Sequence, residues 1–199
     1  MRIPRALAAT AAALTLVLAG CSSDSSDASS GGGDGFNDAD VDFASDMIQH
    51  HAQALQMVDL TMGRNLDPEV ARLTEDIRAA QAPEIELMVD WLEDWDQPIP
   101  ETSRDHANAH SEDHGGGGEM DEDMPGMMGA EDMETLETAP EQEFQDLWLE
   151  MMVEHHEGAV AMSEEVLEDG ENADVKALAE DIVETQQAEI ATMQDLLEG

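Results

Sequence analysis

Two histidine pairs set among methionines are the side chains of this sequence best suited to chemistry. Met47-Ile48-Gln49-His50-His51 returns as Met152-Val153-Glu154-His155-His156, a shift of 105 residues. The same ungapped shift carries Met57 onto Met162, Glu84 onto Glu189 and Met88 onto Met193, and it gives sixteen identities over positions 43–92. Thioether sulfur is a soft ligand that favours Cu(I), or its mimic Ag(I), and imidazole extends such a site to Cu(II) and other borderline metals. Zinc is poorly served, because Met is a weak zinc ligand and the one cysteine, Cys21, stands alone. No loop carries the ordered oxygen spacing of a calcium-binding EF-hand. The candidate metal ligands are therefore Met47, His50, His51, Met57, Met152, His155, His156 and Met162, with Glu84, Met88, Glu189 and Met193 as candidate supporting residues.

A bland reading competes with this one. A lone His on a helix face is more often a hydrogen-bonded structural residue than a ligand, and Met stripes usually fill cores. Shared ancestry alone could preserve such a pattern, with Glu84 and Glu189 serving as hydrogen-bond partners for core histidines; a structural or protein-interaction bundle is thus the alternative. A metal-dependent redox enzyme is a third reading. Carboxylate-bridged di-iron bundles use Glu-x-x-His on two helices, whereas this chain has Met47-x-x-His50 and Met152-x-x-His155. The softer residue disfavours oxygen-activating iron. No nucleophile triad, phosphate loop or dinucleotide glycine pattern stands out, and no organic cofactor is expected.

The elements that must carry these residues read as helices. Phe43, Met47, His50, Ala54, Met57 and Val58 follow spacings of three and four, with Asp40 or a neighbour as cap. Asp67-Pro68 suits the start of a second helix, whose apolar pattern runs through Val70, Leu73, Ile77, Ile85, Met88 and Leu92 to about Trp95. Thr138-Ala139-Pro140-Glu141 fits a capping box before a third helix through Phe144, Trp148, Met152, His155, Ala159 and Met162. Asp169-Gly170 stops that helix, and Asn172 can cap a fourth through Val175, Leu178, Ile182, Ile190, Met193 and Leu197. Two hairpins, each with one apolar face, bury themselves best against each other, so the expected fold is an all-α four-helix bundle with a long crossover. The expected domain spans 38–198, with hairpins at 38–96 and 139–198 and a crossover at 97–138. That crossover carries His106, His110 and His114 at a spacing of four, then Met124, Met127 and Met128. A solvated linker or a loose second metal site both fit it.

The ends and the charge bound the rest. Residues 1–20 have basic Arg2 and Arg5, an apolar run from Ala6 to Leu18, and Leu18-Ala19-Gly20-Cys21 as a lipoprotein cleavage pattern. Cys21 is the expected lipidation site, and 21–37 a flexible Ser, Gly and Asp tether on the outer face of a bacterial membrane. Export places the protein where thiols oxidise readily, which favours Met and His as metal ligands. A net charge of −41 argues against binding nucleic acid or an anionic lipid surface through charge. The partners expected are metal ions and, through the lipid, the membrane; the sequence points to no particular protein partner.

Met-Ile-Gln-His-His-Ala-Gln-Ala (47–54), Met124-Pro125-Gly126-Met127-Met128, and the run from Trp148 to Ala159 resemble the domain-of-unknown-function 305 family over about residues 38–198. The resemblance implies a ferritin-like four-helix bundle exported from bacteria, with some members linked to copper binding and tolerance. It points to the same eight Met and His positions.

Overall fold

The computed structural model describes residues 35–102 and 124–199. The lipidation candidate Cys21, the leader and most of the tether, and His106, His110 and His114 lie outside the described residues. The fold is all-helical: α1 (Asp38–Asp59), α2 (Pro68–Asp94), α3 (Ala130–Thr138), α4 (Glu141–Asp169) and α5 (Ala173–Glu198). Helices α1 and α2 form one hairpin and α4 and α5 the other, and α1 packs against α4 to join them. Among the described residues no helix is long and apolar enough to cross a membrane.

The start of α1 is tied to the far hairpin. Asn37 is the N-cap and Asp40 completes a capping box, its carboxylate accepting from Asn37 N at 2.8 Å. The same fully buried carboxylate accepts from Glu171 N at 3.0 Å and Asn172 N at 3.1 Å, in the turn between α4 and α5. One repeat later, Gln145 does the equivalent work: its Oε1 accepts from Asp67 N, and its Nε2 donates to Asp67 Oδ2 in the α1–α2 turn. Each hairpin thus clasps the other's turn, as a pseudo-two-fold arrangement requires.

Trp148 reports the direction of the central pair. Its indole N–H donates to Met57 O at 3.0 Å, while His50 meets His155, so α1 and α4 run antiparallel through the middle of the bundle. The interior divides into two apolar clusters. One holds Met57, Trp148, Met152 and Met193; the other holds Phe43, Met47, Met88 and Ile182.

From residue 124 onward the crossover is structured. Residues 130–138 form a helix that buries Met133 and Leu136 against the first cluster. Thr138 ends this helix instead of capping the next, its hydroxyl donating to Glu134 O, and Pro140 occupies the N-cap of α4 without a side-chain bond. The physical reason is Arg64, whose guanidinium donates to the carbonyls of Glu137 and Ala139 and lies 4.1 Å over the Phe144 ring. A cation on the last carbonyls terminates a helix well. Residues 124–129, just before α3, also lie fixed across α1 and α4. Gln53 grips Met128 at both ends of its amide, donating to Met128 O at 2.8 Å and accepting from Met128 N at 2.7 Å.

Two glycines permit this strap. Gly126 has φ +74°, and a Cβ there would lie 2.6 Å from Glu154 O. A Cβ on Gly158, in mid-helix, would overlap the Pro125 carbonyl. Gly158→Ala is therefore expected to displace the strap or to destabilise the fold by about 2 kcal/mol, the usual scale of overpacking. Thermal unfolding, with hydrogen exchange at the Met128 amide as the local readout, checks this. An unchanged melting temperature together with a protected Met128 amide would show that the strap does not rest on Gly158.

Candidate metal centre

The four histidines form one layer across the middle of the bundle. Adjacent residues on a helix differ by about 100°, so His50 and His51 diverge, as do His155 and His156. His50 and His155 point at each other across α1 and α4, with ring centroids 3.8 Å apart and planes inclined by 41°. His51 turns toward α2 and His156 toward α5, where their Nε2 atoms lie 2.7 Å from Glu84 and 2.8 Å from Glu189. All four rings are fully buried, and the two carboxylates are mostly so.

Hydrogen bonding fixes what each ring offers. The carbonyl of Pro125 in the strap can only accept, so His50 donates through Nε2 at 3.1 Å and its Nδ1 faces the interior without a partner. Carboxylate oxygens likewise take Nε2–H from His51 and His156, and both Nδ1 atoms are unpartnered. Neither ring nitrogen of His155 has a hydrogen-bond partner. Carboxylate-to-imidazole bonds of this kind orient metal-binding histidines and hold them in one tautomer.

Burial controls protonation at the centre. Loss of water pushes His50 from its ordinary 6.5 down to about 3; His51 and His156 push the same way, against the Pro125 carbonyl, which raises it. His155 is held well below the ordinary range, first by burial and then by His50, His156 and His51, against a weaker opposing contact with the His50 backbone, which raises it. Both rings are therefore neutral at neutral pH. With Nε2 of His50 committed as donor, its Nδ1 carries a free lone pair, the state a metal ion requires of imidazole.

The methionines lie on either side of this layer. Met47, Met57, Met88, Met152 and Met193 are fully buried, and Met162 is half-buried. Met47 and Met162 come together in one apolar cluster, Met57 and Met152 in the other, so each group takes one thioether from each of the two central helices. Of the crossover candidates, Met128 and Met124 are buried and Met127 half-buried; Met128 packs in the cluster with Met57 and Met152. Among the described residues no three His, Cys, Asp or Glu donors converge on one point. Thioether sulfur, a soft donor, lies on both sides of the histidine layer.

Sequence reasoning did not find Pro125 or Gln53, which bring the strap onto the histidine layer. Gly158 was the available signal, because glycine inside a helix is costly unless a backbone approaches there.

A family model described as a domain of unknown function (DUF305) matches residues 40–197. No curated protein matches the chain. Among solved structures, a DUF305 fragment from Deinococcus radiodurans is 32% identical with a TM-score of 0.66, covering 81% of this chain and 97% of its own. A DUF305 protein from Streptomyces coelicolor described as secreted is 34% identical with a TM-score of 0.65, covering 80% and 92%. CopM in its Cu(II)-bound form is 28% identical with a TM-score of 0.62, covering 80% of this chain and 95% of its own. CopM is also known in Cu(I)-bound and Ag-bound forms.

The depressed pKa values set a sign for acid stability. A His that is neutral in the fold and ordinary when unfolded takes up protons on unfolding, so its contribution is complete above the unfolded pKa and lost as pH falls from 6.5 toward 3. For His50 alone that is about 2 kcal/mol between pH 7 and pH 5. The stability difference between wild type and a His50→Phe, His155→Phe variant, measured by denaturant unfolding at both pH values, is expected to shrink by at least that much on acidification. The many surface carboxylates are common to both proteins and cancel. Parallel pH profiles would mean that the two rings are not neutral in the fold.

Proposed function

The chain belongs to the DUF305 family, and on that premise we propose that it is an extracytoplasmic protein that binds copper through the Met and His side chains of the bundle interior. Its role on this reading is to buffer or sequester the ion outside the cytoplasm, with Cys21 as the lipid-modified residue that tethers it. The observation that carries the proposal is the unpartnered Nδ1 atom on each of four buried histidines. A buried acceptor without a partner costs about 1–3 kcal/mol, and four in one layer are hard to account for unless something is received there. The copper-bound and silver-bound forms of a similarly folded protein support the choice of metal.

Each part of the layer has a role on this reading. His50, His51, His155 and His156 supply imidazole nitrogen; Met47, Met57, Met152 and Met162 supply sulfur. Glu84 and Glu189 orient His51 and His156 and fix their tautomer. The strap closes the layer over His50 through Pro125. The acidic surface, with a net charge of −41, concentrates cations around the protein without selecting among them. A structural role for the histidines accounts for the Glu84 and Glu189 pairs but leaves every Nδ1 unanswered.

The test is a competition titration with a chromophoric Cu(I) chelator. Replacing His50, His51, His155 and His156 together by Ala is expected to weaken the tightest binding at least tenfold. A companion variant with residues 101–123 deleted separates any ions held outside the bundle. Equal stoichiometry and affinity for wild type and the four-His variant would remove the interior from consideration.

A further inference from the structure

We propose that the groove between α2 and α5 at Leu87 and Trp91 is a docking site for a basic amphipathic helix of a partner protein. Apolar side chains of the partner cover Leu87 and Trp91, and its Arg or Lys side chains meet Asp174 and Asp181. Such docking is independent of copper binding and holds whether or not the histidine layer takes a metal.

Helices α2 and α5 flank the central pair without packing closely on each other, which leaves a groove along the face they share. At one end of it Leu87, Trp91, Asp174, Ala177, Leu178 and Asp181 line a cleft of about 290 Å³. Leu87, Trp91 and Trp95 recur every four residues, so they form one stripe about 12 Å long on α2. Phe36 extends the stripe by stacking on Trp95, with ring centroids 4.6 Å apart and planes inclined by 14°. Trp91 and Trp95 are also stacked, at 6.1 Å. Leu87 is 40% exposed and Phe36 38%, and both tryptophans are half-buried. Two of the three tryptophans in a chain of net charge −41 are thus held at the surface beside exposed apolar neighbours. A contiguous patch of this kind, anchored on tryptophan, marks an interaction surface.

The repeat provides an internal control. The counterparts of the six lining residues, 105 positions away, are Thr192, Leu196, Glu69, Arg72, Leu73 and Asp76. All six line a second cleft, of about 730 Å³, between the same two helices. There Arg72 stands three residues after Glu69 and four before Asp76, on one helix face, so that cleft carries its own cation. At the Trp91 end the same three positions are Asp174, Ala177 and Asp181: both carboxylates are kept and the cation is replaced by a methyl group. No Lys or Arg lines this cleft, and the ammonium of neighbouring Lys176 donates to Leu167 O at 2.9 Å. Asp174 lies in the first turn of α5, where a carboxylate suits the helix dipole, but Asp181 lies two turns further on and gains nothing from it. Exposed aromatic surface and unmatched negative charge therefore occur together at one end of the groove and not at the other.

Charge complementarity selects the occupant. A second copy of this chain would set the same carboxylates against each other, and like charges across an interface repel. An anionic lipid surface is disfavoured for the same reason. Residues 21–34 hold three Asp and no Lys or Arg, and residues 103–123 hold one Arg among seven Asp and Glu, so neither segment has the required chemistry. The leader is basic and apolar, but on the reading above it is cut away at Cys21. A helix laid between α2 and α5 covers the stripe along its length, as amphipathic helices do in grooves. Arginine is its best-suited cation, because a guanidinium pairs with a carboxylate and stacks on a tryptophan face at once.

The probe is a synthetic helical peptide with a leucine face flanked by arginines seven residues apart, titrated into the chain from residue 21 onward. Tryptophan emission is the readout, because Trp148 is fully buried with its N–H engaged, which leaves Trp91 and Trp95 to respond. Saturable binding with a shift in emission is expected. The Asp174→Asn, Asp181→Asn variant should weaken it about tenfold, and Leu87→Gln about fivefold. The Glu157→Gln, Glu164→Gln variant removes the same charge from α4 and should change it by less than about twofold. All five of these side chains are exposed, so the variants keep the core intact. Equal weakening by the two double variants would reduce the binding to general attraction by an acidic surface and overturn the proposal. Equal binding of a peptide with glutamate in place of arginine would overturn it too, as would the absence of any tryptophan response. A response to phosphatidylcholine vesicles but not to the peptide would assign the stripe to lipid instead. Self-association without peptide, abolished by Leu87→Gln, would assign it to a second copy; either result rejects the basic helix.

Discussion

Four imidazoles buried at the crossing of α1 and α4 impose the condition that the surrounding structure answers. A polar ring removed from water must be neutral, partnered or both. His50 and His155 are held neutral by burial. His51 and His156 draw one carboxylate each from the neighbouring helix, and His50 draws a carbonyl from the strap. Those demands fix the helix registers, the course of residues 124–129, and the separation of the apolar interior into two clusters. They are met at one nitrogen each of His50, His51 and His156, and the Nδ1 atoms of all four rings are left without a hydrogen-bond partner.

Much of this was legible in the sequence for a definite reason. The repeat supplied both copies of the helical period, so the four long helices, the Asp67-Pro68 and Asn172 starts and the stop at Gly170 follow from local rules that a helix end obeys wherever it occurs. The face shared by Gln81, Glu84 and Met88 is visible in the same way. The strap is not, because its position depends on a carbonyl of Pro125 and an amide of Gln53, neither of which has a periodicity. The matched clasps of Asp40 and Gln145 were missed because different side chains make equivalent bonds, and a count of identities passes over them. Helix α3 went unseen because nine residues of mixed polarity owe their helicity to Met133, Leu136 and the hold of Arg64 on their last carbonyls.

Duplication gives the bundle its near-symmetry, and the departures from it are concentrated at the two ends of the central pair. Asp42, Asp46, Glu165 and Asp169 surround the cleft at Met162. Their counterparts one repeat away are Leu147, Met151, Leu60 and Arg64. The acidic end stays open to solvent, and the apolar end is covered by α3 and the strap. Positions 53 and 158 diverge for the same reason: Gln53 holds the strap where it lies against α1, and Gly158 gives it room against α4.

Asp40 belongs to the first turn of α1 but anchors the turn between α4 and α5, while Asn37 beside it donates to the carbonyl of Asp169. A pull on the chain ahead of residue 37 is therefore shared at once with the last hairpin. The first helical turn does not bear it alone and cannot peel away one bond at a time; several hydrogen bonds must shear together. The domain is clamped at the point where tension would enter, so force on the leading segment would spend itself on the clamp before reaching the histidine layer.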